Sequence, residues 1–228
     1  MTVGRLQKRS IKDEEEEIAL YKKLLRKSPE KYILLDFIAN ALFKIAEYRE
    51  AIHCWEKLLR KTEIKEKFRV YARIAQSYEL LGELEHSYYN YWKAMKEDPT
   101  NLDLVGKYGE MAYLIENYQD SLNAFKRICE KEPDNEIAWH NLGLSYYNLG
   151  FHDEAINALD VALGLVSDSA DTCYVQATIY AENYLFDDAL FSLERAILLE
   201  SSYREQAQKE QSFYLLSDLA LFRYLVEV

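Results

Sequence analysis

One set of residue types returns every 34 positions, and a chain that repeats at that interval folds as a stack of similar units rather than around one central core. Between 136 and 169 the set is Trp139, Leu142, Gly143, Tyr146, Gly150, Ala155, Leu159 and Ala162. One interval earlier stand Gly109, Ala112, Ser121, Phe125, Ile128 and Pro133, and one further Tyr71, Ala75, Tyr78, Gly82, Ser87, Tyr91, Ala94 and Pro99. One interval later come Ala177, Tyr180, Ala189, Leu193 and Ala196. An early copy with Ala39, Ala51, Trp55 and Leu58 runs two residues out of phase, which makes five copies in all.

The pattern has a physical reading. Two short antiparallel helices need small residues where their backbones approach, and Ala39, Ala75, Gly109, Gly143 and Ala177 recur at one such place. Ala51, Ser87, Ser121, Ala155 and Ala189 recur at a second, on the following helix. Four residues after each comes a large one, Trp55, Tyr91, Phe125, Leu159 or Leu193, so small and large side chains share a helix face. The stretches Asp98-Pro99-Thr100-Asn101 and Glu132-Pro133-Asp134-Asn135 supply turn and N-cap chemistry between copies.

Over residues 32 to 203 this pattern resembles the tetratricopeptide repeat (TPR) family. The resemblance implies an all-α, right-handed superhelical solenoid of antiparallel helix pairs, divided as 32–65, 68–101, 102–135, 136–169 and 170–203. The end copies depart from the family pattern: Asn40 and Leu42 flank the first small residue, Glu63 stands where Pro would close the first copy, and Cys173 and Ser201 replace Trp and Pro in the fifth. Residues 1–12 read as a flexible tail. Segment 13–28 reads as a leading half-repeat helix, opened by a Ser10-x-x-Asp13 capping box and carrying Ile18, Tyr21, Leu24 and Leu25 at helical spacing. Residues 204–228 read as one last helix with a thin polar side.

Composition narrows the function classes. Seven Gly and three Pro in 228 residues are too few for a barrel or sandwich, which needs a turn every eight to twelve residues. A net charge of −11 argues against nucleic acid as the main partner, because phosphates are captured by clustered Lys and Arg. No apolar run approaches the roughly 18 residues of a spanning helix, so direct membrane insertion is not expected, and the reading is cytoplasmic. Cys54, Cys129 and Cys173 fit neither a disulfide framework nor a zinc ligand set and read as buried thiols.

Catalysis has little to stand on: there is no glycine-rich phosphate loop, no G-x-S-x-G, no H-E-x-x-H and no C-x-x-C. The chain reads as a non-enzyme without metal or cofactor. Glu50-x-x-His53 and Glu83-x-x-His86 have the spacing that two-metal helix bundles use, the remote alternative of a metal-binding helical protein. In the repeat frame the two pairs sit three residues apart and project differently, so they read as surface residues. His140 and His152 lie in no ligand set. The run Glu14 to Glu17 falls on a first helical turn, where carboxylates complement the helix dipole.

Charge is distributed unevenly. Residues 1 to 114 hold 21 basic and 19 acidic side chains, whereas 115 to 228 hold 7 and 20. Between 132 and 203 the only basic residue is Arg195 against thirteen acids, a field that repels acidic partners and steers basic ones.

In the TPR family the first helix of each repeat lines a concave groove that holds a partner's peptide or helix. The second, fifth, ninth and twelfth repeat positions place Ile33, Asp36, Asn40, Phe43, Arg69, Ala72, Gln76 and Glu79 there early, then Asp103, Gly106, Glu110 and Tyr113. Ile137, His140, Leu144, Tyr147, Asp171, Tyr174 and Thr178 follow. Tyr113, Tyr147 and Tyr174 with Ile137 and Leu144 form an amphipathic anchor stripe. A groove that clamps a chaperone's terminal carboxylate needs cationic and amide donors; Asn141 fits alone, beside Gly106, Glu110, Asp171 and Val175, and the clamp is rejected. The expected function is an interaction scaffold for a basic or amphipathic peptide or helix, with a secretion or assembly chaperone for one client as the alternative. In the last helix Leu215, Leu219, Phe222 and Val226 form one apolar line, and Tyr214, Leu221 and Leu225 a second that a homodimer or stable partner would cover.

Overall fold

A computed structural model describes residues 11–61 and 64–227, and the proposed Ser10 cap, Glu63 and most of the expected tail lie outside them. The described residues form helices and turns without strands. The chain divides into two compact units with a boundary between Met111 and Ala112.

The first unit contains α1 (Ile11–Lys27), α2 (Leu34–Lys44), α3 (Tyr48–Leu59), α4 (Lys67–Leu80), α5 (Leu84–Glu97) and most of α6 (Leu102–Leu114). Consecutive helices from α1 to α5 pack on one another. The small residues Ala39, Ala51, Ala75 and Ser87 are buried at the pair interfaces, and Trp55 and Tyr91 fill the space they leave. Glu14, expected only as a helix-dipole carboxylate, is buried and takes Lys44 Nζ at 3.0 Å, tying α1 to α2. Glu83 of the candidate metal pairs is committed to Arg49 and to His86, whose ring stacks on Tyr78.

In the second unit the end of α6 is followed by α7 (Tyr118–Lys131), α8 (Glu136–Asn148), α9 (His152–Leu165), α10 (Ala170–Glu182) and α11 (Phe186–Leu199). Ser121, Gly143, Ala155, Ala177 and Ala189 are buried against Phe125, Leu159 and Leu193. Side-chain oxygens of Asn117, Asn135 and Ser169 cap α7, α8 and α10.

The turn inside each helix pair shows the period more regularly than the sequence does. Ala46, Gly82, Glu116, Gly150 and Tyr184 all have positive φ, between 62° and 80°. In each case the next residue's N–H reaches back five residues: Glu47 to Leu42 O, Glu83 to Tyr78 O, Asn117 to Ala112 O, Phe151 to Tyr146 O and Leu185 to Tyr180 O, at 2.8–3.0 Å. This is the Schellman closure, which satisfies the last carbonyls of the first helix and demands a left-handed residue. Glycine adopts that conformation freely, whereas an L side chain costs roughly 1–2 kcal/mol there. Glu116→Gly is therefore expected to stabilise the chain and Gly150→Ala to destabilise it, each by about 1 kcal/mol in urea unfolding. No atom would meet the new Cβ at Gly150, so the backbone alone sets the sign. A loss of stability in Glu116→Gly would contradict this.

Where a single helix is expected over 204–228, the chain forms three short elements: α12 (Tyr203–Lys209), a 3-10 segment (Gln211–Leu216) and α13 (Ala220–Glu227). The helix breaks at Glu210, which is extended and whose carboxylate accepts the Ser212 N–H at 3.2 Å. The bend turns Phe213 and Leu216 into the core beneath α10 and α11, with Phe222, Leu225 and Val226. The two expected apolar lines are thereby broken up. Tyr214 and Leu221 are 76% and 49% exposed, but Leu225 is 6% exposed and cannot serve a surface contact.

Candidate partner-binding surface

Helices α8 and α10 lie side by side in the second unit and carry most of the expected anchor stripe. Ile137, Asn141, Leu144 and Asn148 follow one another along a single face of α8. Both asparagine side chains fold back on the helix, Asn141 Nδ2 donating to Ile137 O (2.8 Å) and Asn148 Nδ2 to Leu144 O (2.9 Å). Ile137 is 65% exposed, so the upper end of this stripe offers apolar surface to water.

Two tyrosines are held by matching bonds one repeat apart. Asn148 also donates to the hydroxyl of Tyr113 (3.0 Å), and the Tyr147 hydroxyl donates to Glu182 Oε1 (2.8 Å). Each bond spans 35 residues, one more than the repeat, because it joins the end of one first helix to the end of the next. Asn148 and Glu182 stand outside the equivalent inward positions, and the same register advanced by one residue points to both.

Around His140 the polar groups form a closed set. Its Nδ1 shares a hydrogen bond with Thr172 Oγ1 at 2.9 Å and its Nε2 lies 3.2 Å from Asp171 Oδ2. Tyr203 of α12 donates its hydroxyl to the other oxygen of Asp171 at 3.2 Å. The His140 hydrogen bond, aided by that of Tyr203, holds the Asp171 carboxyl below the ordinary range.

Tyr174 does not stand open in this stripe. Tyr203 stacks on it with ring centroids 4.7 Å apart, and Phe213 meets it edge-on at 5.7 Å. Ser212 donates to Glu182 Oε1 at 2.9 Å, the same oxygen that receives Tyr147. The C-terminal segment thus covers the α10 end of the stripe, leaving Tyr113, Ile137, Leu144 and Tyr147 as its accessible part. Thr178 donates its hydroxyl to Tyr174 O and contributes mainly to α10 itself. Glu79 and Glu110 belong to the first unit, where Glu79 accepts the Tyr91 hydroxyl (3.2 Å) and Glu110 pairs with Lys107 (2.6 Å).

Burial and nearby carboxylates keep these tyrosines neutral. Burial, then Glu210 and Tyr203, pushes Tyr174 up to about 12, and burial with Asp171 pushes Tyr203 to about 12. Tyr147 is raised further, by burial, its bond to Glu182 and the charge of Glu210. A phenol whose folded value lies above the ordinary 10 contributes stability that is complete below pH 10 and is lost as pH rises toward 12. Thermal unfolding should accordingly drop over that window, and less so in a Tyr174→Phe, Tyr203→Phe double variant. An equal drop in both proteins would contradict this assignment.

Residues 112–171 match the family model of the tetratricopeptide repeat. No curated protein is detectably similar in sequence. Among solved structures, YrrB, described as a TPR protein with an unusual peptide-binding site, superposes with a TM-score of 0.71 at 21% identity, covering 83% of this chain and 98% of its own. MamA superposes at 0.65 with 19% identity, over 74% of this chain and 97% of its own. MamA from Desulfovibrio magneticus RS-1 gives 0.65 at 16% identity, over 82% and 96%. By its helix pairs and these superpositions the chain has the fold of tetratricopeptide repeat proteins, and over residues 112–171 it also matches that family's model.

Proposed function

We propose that the chain is a non-enzymatic interaction scaffold whose second unit holds a basic, amphipathic segment of a partner protein against α8 and α10. The observation that carries this reading is the company of the tyrosines. Tyr113, Tyr147 and Tyr174 lie in the fields of Asp171, Glu182 and Glu210, and Ile137 and Leu144 provide apolar area between them. A Lys or Arg side chain lying on a tyrosine face beside a carboxylate gains both cation–π and ionic attraction, while a leucine or phenylalanine of the same segment packs on the α8 stripe. An acidic segment meets only repulsion there. The peptide-binding description of YrrB is in keeping with this use of the fold.

Two further parts of the proposal follow from particular residues. Cys54, Cys129 and Cys173 are unpaired, which supports a reducing, cytoplasmic setting, and burial raises all three thiols, Cys129 to about 12. No helix among the described residues is long and apolar enough to cross a membrane. A homodimer would cover Tyr214 and Leu221 without Leu225.

The experiment is a fluorescence titration of the full chain with a synthetic peptide alternating Lys and Leu. Saturable binding is expected that weakens about tenfold or more in Tyr147→Ala and in Glu182→Lys, the scale of losing one buried anchor. Equal binding by wild type and both variants would refute the site.

A further inference from the structure

The near balance of charge in residues 1 to 114 hides a local excess. Residues 19–27, 54–61 and 91–97, at the C-terminal ends of α1, α3 and α5, hold nine cations and two carboxylates, Glu56 and Glu97. Glu30 and Lys31 follow α1 and offset each other, and the acidic run Glu14 to Glu17 lies on its other half. Lys57 and Arg60 recur as Lys93 and Lys96, 36 residues on, the interval from Ala51 to Ser87. These are second helices, outside the first-helix positions that line the family's groove. No ion pair holds any of the nine cations among the described residues. Cations suit helix C-termini, but each end carries only about half a negative charge, so most of the excess remains.

The cations share one surface with exposed apolar groups. Lys22 of α1 and Lys57 of α3 both act on the Cys54 thiol, and a groove of about 380 Å3 between the two helix ends has Lys57, Arg60 and Lys61 on its rim, Leu25 and Leu35 in its floor and no carboxylate in its lining. On α1, Leu20 and Leu24 are 52% and 42% exposed beside Lys23 and Lys27. On α5, Tyr89 stacks on Trp92 at 5.8 Å, Lys93 Nζ lies 4.1 Å from the Tyr89 ring centre, and Lys96 Nζ lies 4.3 Å from that of Trp92.

We propose that this face of the first unit rests on an anionic membrane surface, with Tyr89 and Trp92 at headgroup level, Leu20 and Leu24 at the acyl boundary, and the cations among lipid phosphates. Tyrosine, tryptophan and lysine together are the chemistry of that interface, and clustered cations are drawn to anionic lipid. An acidic peptide fixes its carboxylates in space and calls for donors held by partners, whereas these cations have none and can follow mobile headgroups. Nucleobases need open ring faces, and here the chain's own lysines cap them.

The test is co-sedimentation of the full chain with vesicles of phosphatidylcholine containing about one-third phosphatidylserine, beside vesicles of phosphatidylcholine alone. Binding is expected to the anionic vesicles only, weakening as salt is added. Lys23, Lys27, Lys57 and Arg60 are all exposed. Changing the four together to Gln should weaken binding about a hundredfold or more, from roughly fivefold per cation at such a surface. An unchanged helical circular dichroism spectrum checks the fold of that variant. Trp55 is fully buried and Trp139 lies in the second unit, so a blue shift of emission on binding should come from Trp92; Trp92→Phe should still sediment but lose the shift. Tyr147→Ala should bind vesicles as the wild type does, so this face and the one on α8 and α10 can fail separately. Equal sedimentation with both vesicle types, equal binding by the four-fold variant, a blue shift that survives Trp92→Phe, or preference for a single-stranded oligonucleotide or polyglutamate over the vesicles would overturn the proposal.

Discussion

Trp55→Ala should remove about 4 kcal/mol of stability, a large share of what a domain of this size possesses. The indole is fully buried, its ring lies 6.1 Å from that of Phe43, and its N–H is satisfied by Asp36 at 2.8 Å. Truncation therefore loses the transfer free energy of the largest side chain in the first unit's core and leaves a cavity that α2 and α3 cannot close without separating. The hydrogen bond is the smaller part. Trp55→Phe, which keeps most of the ring and deletes the donor, is expected to cost only about 1 kcal/mol beyond its smaller volume, since Asp36 lines an open cleft and can turn to water. Urea unfolding followed by circular dichroism measures both. A cost below about 1 kcal/mol for Trp55→Ala would show that the packing described for α2 and α3 is wrong.

The second large effect lies where α8 crosses α9. Gly143 stands in a helix interior, where alanine would ordinarily gain about 1 kcal/mol. Here an added Cβ would lie 2.7 Å from Leu159 Cγ and 2.8 Å from its Cδ2. Leu159 is fully buried and its Cγ cannot swing aside, so overpacking of about 1–3 kcal/mol outweighs the propensity gain. Leu159→Ala alone should cost about 2–5 kcal/mol, but it also vacates the space the new methyl needs. In that background Gly143→Ala is expected to change sign and stabilise. A double-mutant cycle with a coupling of about 2 kcal/mol is the expected result, and additive effects would deny the close crossing.

These two sites were legible in the sequence because each repeats. A small residue at Gly143 and a large one at Leu159 mean little singly, yet their equivalents at Ala39 and Trp55, Ala75 and Tyr91, and Ala177 and Leu193 impose a helix pair with one close approach. The left-handed turns were half legible. Gly82 and Gly150 mark them, while Ala46, Glu116 and Tyr184 adopt the same φ only because the Schellman bonds of neighbouring residues enforce it. The C-terminal segment is not legible in the sequence, because Phe213 to Val226 is apolar at nearly every third or fourth position, which fits one helix as well as several. The bend at Glu210 depends on a carboxylate accepting from Ser212, a local competition that periodicity does not register.

The candidate surface was legible as positions and not as contacts. Tyr113, Tyr147 and Leu144 fall where the repeat frame places inward residues. That Tyr174 is covered by Tyr203 and Phe213 could not be read from the frame, because the covering residues belong to the one segment that does not repeat. Glu182 and Asn148 are illegible for a different reason: the two tyrosine bonds they make advance by 35 residues, and a comparison at 34 passes beside them.

Amide hydrogen exchange of the full chain, with and without the Lys and Leu peptide, tests the central claim most directly. Binding against α8 and α10 predicts added protection in Glu136–Asn148 and Ala170–Glu182, where the stripe and its carboxylates lie. Protection confined to His152–Leu165 and Phe186–Leu199, with those two helices unchanged, would contradict it.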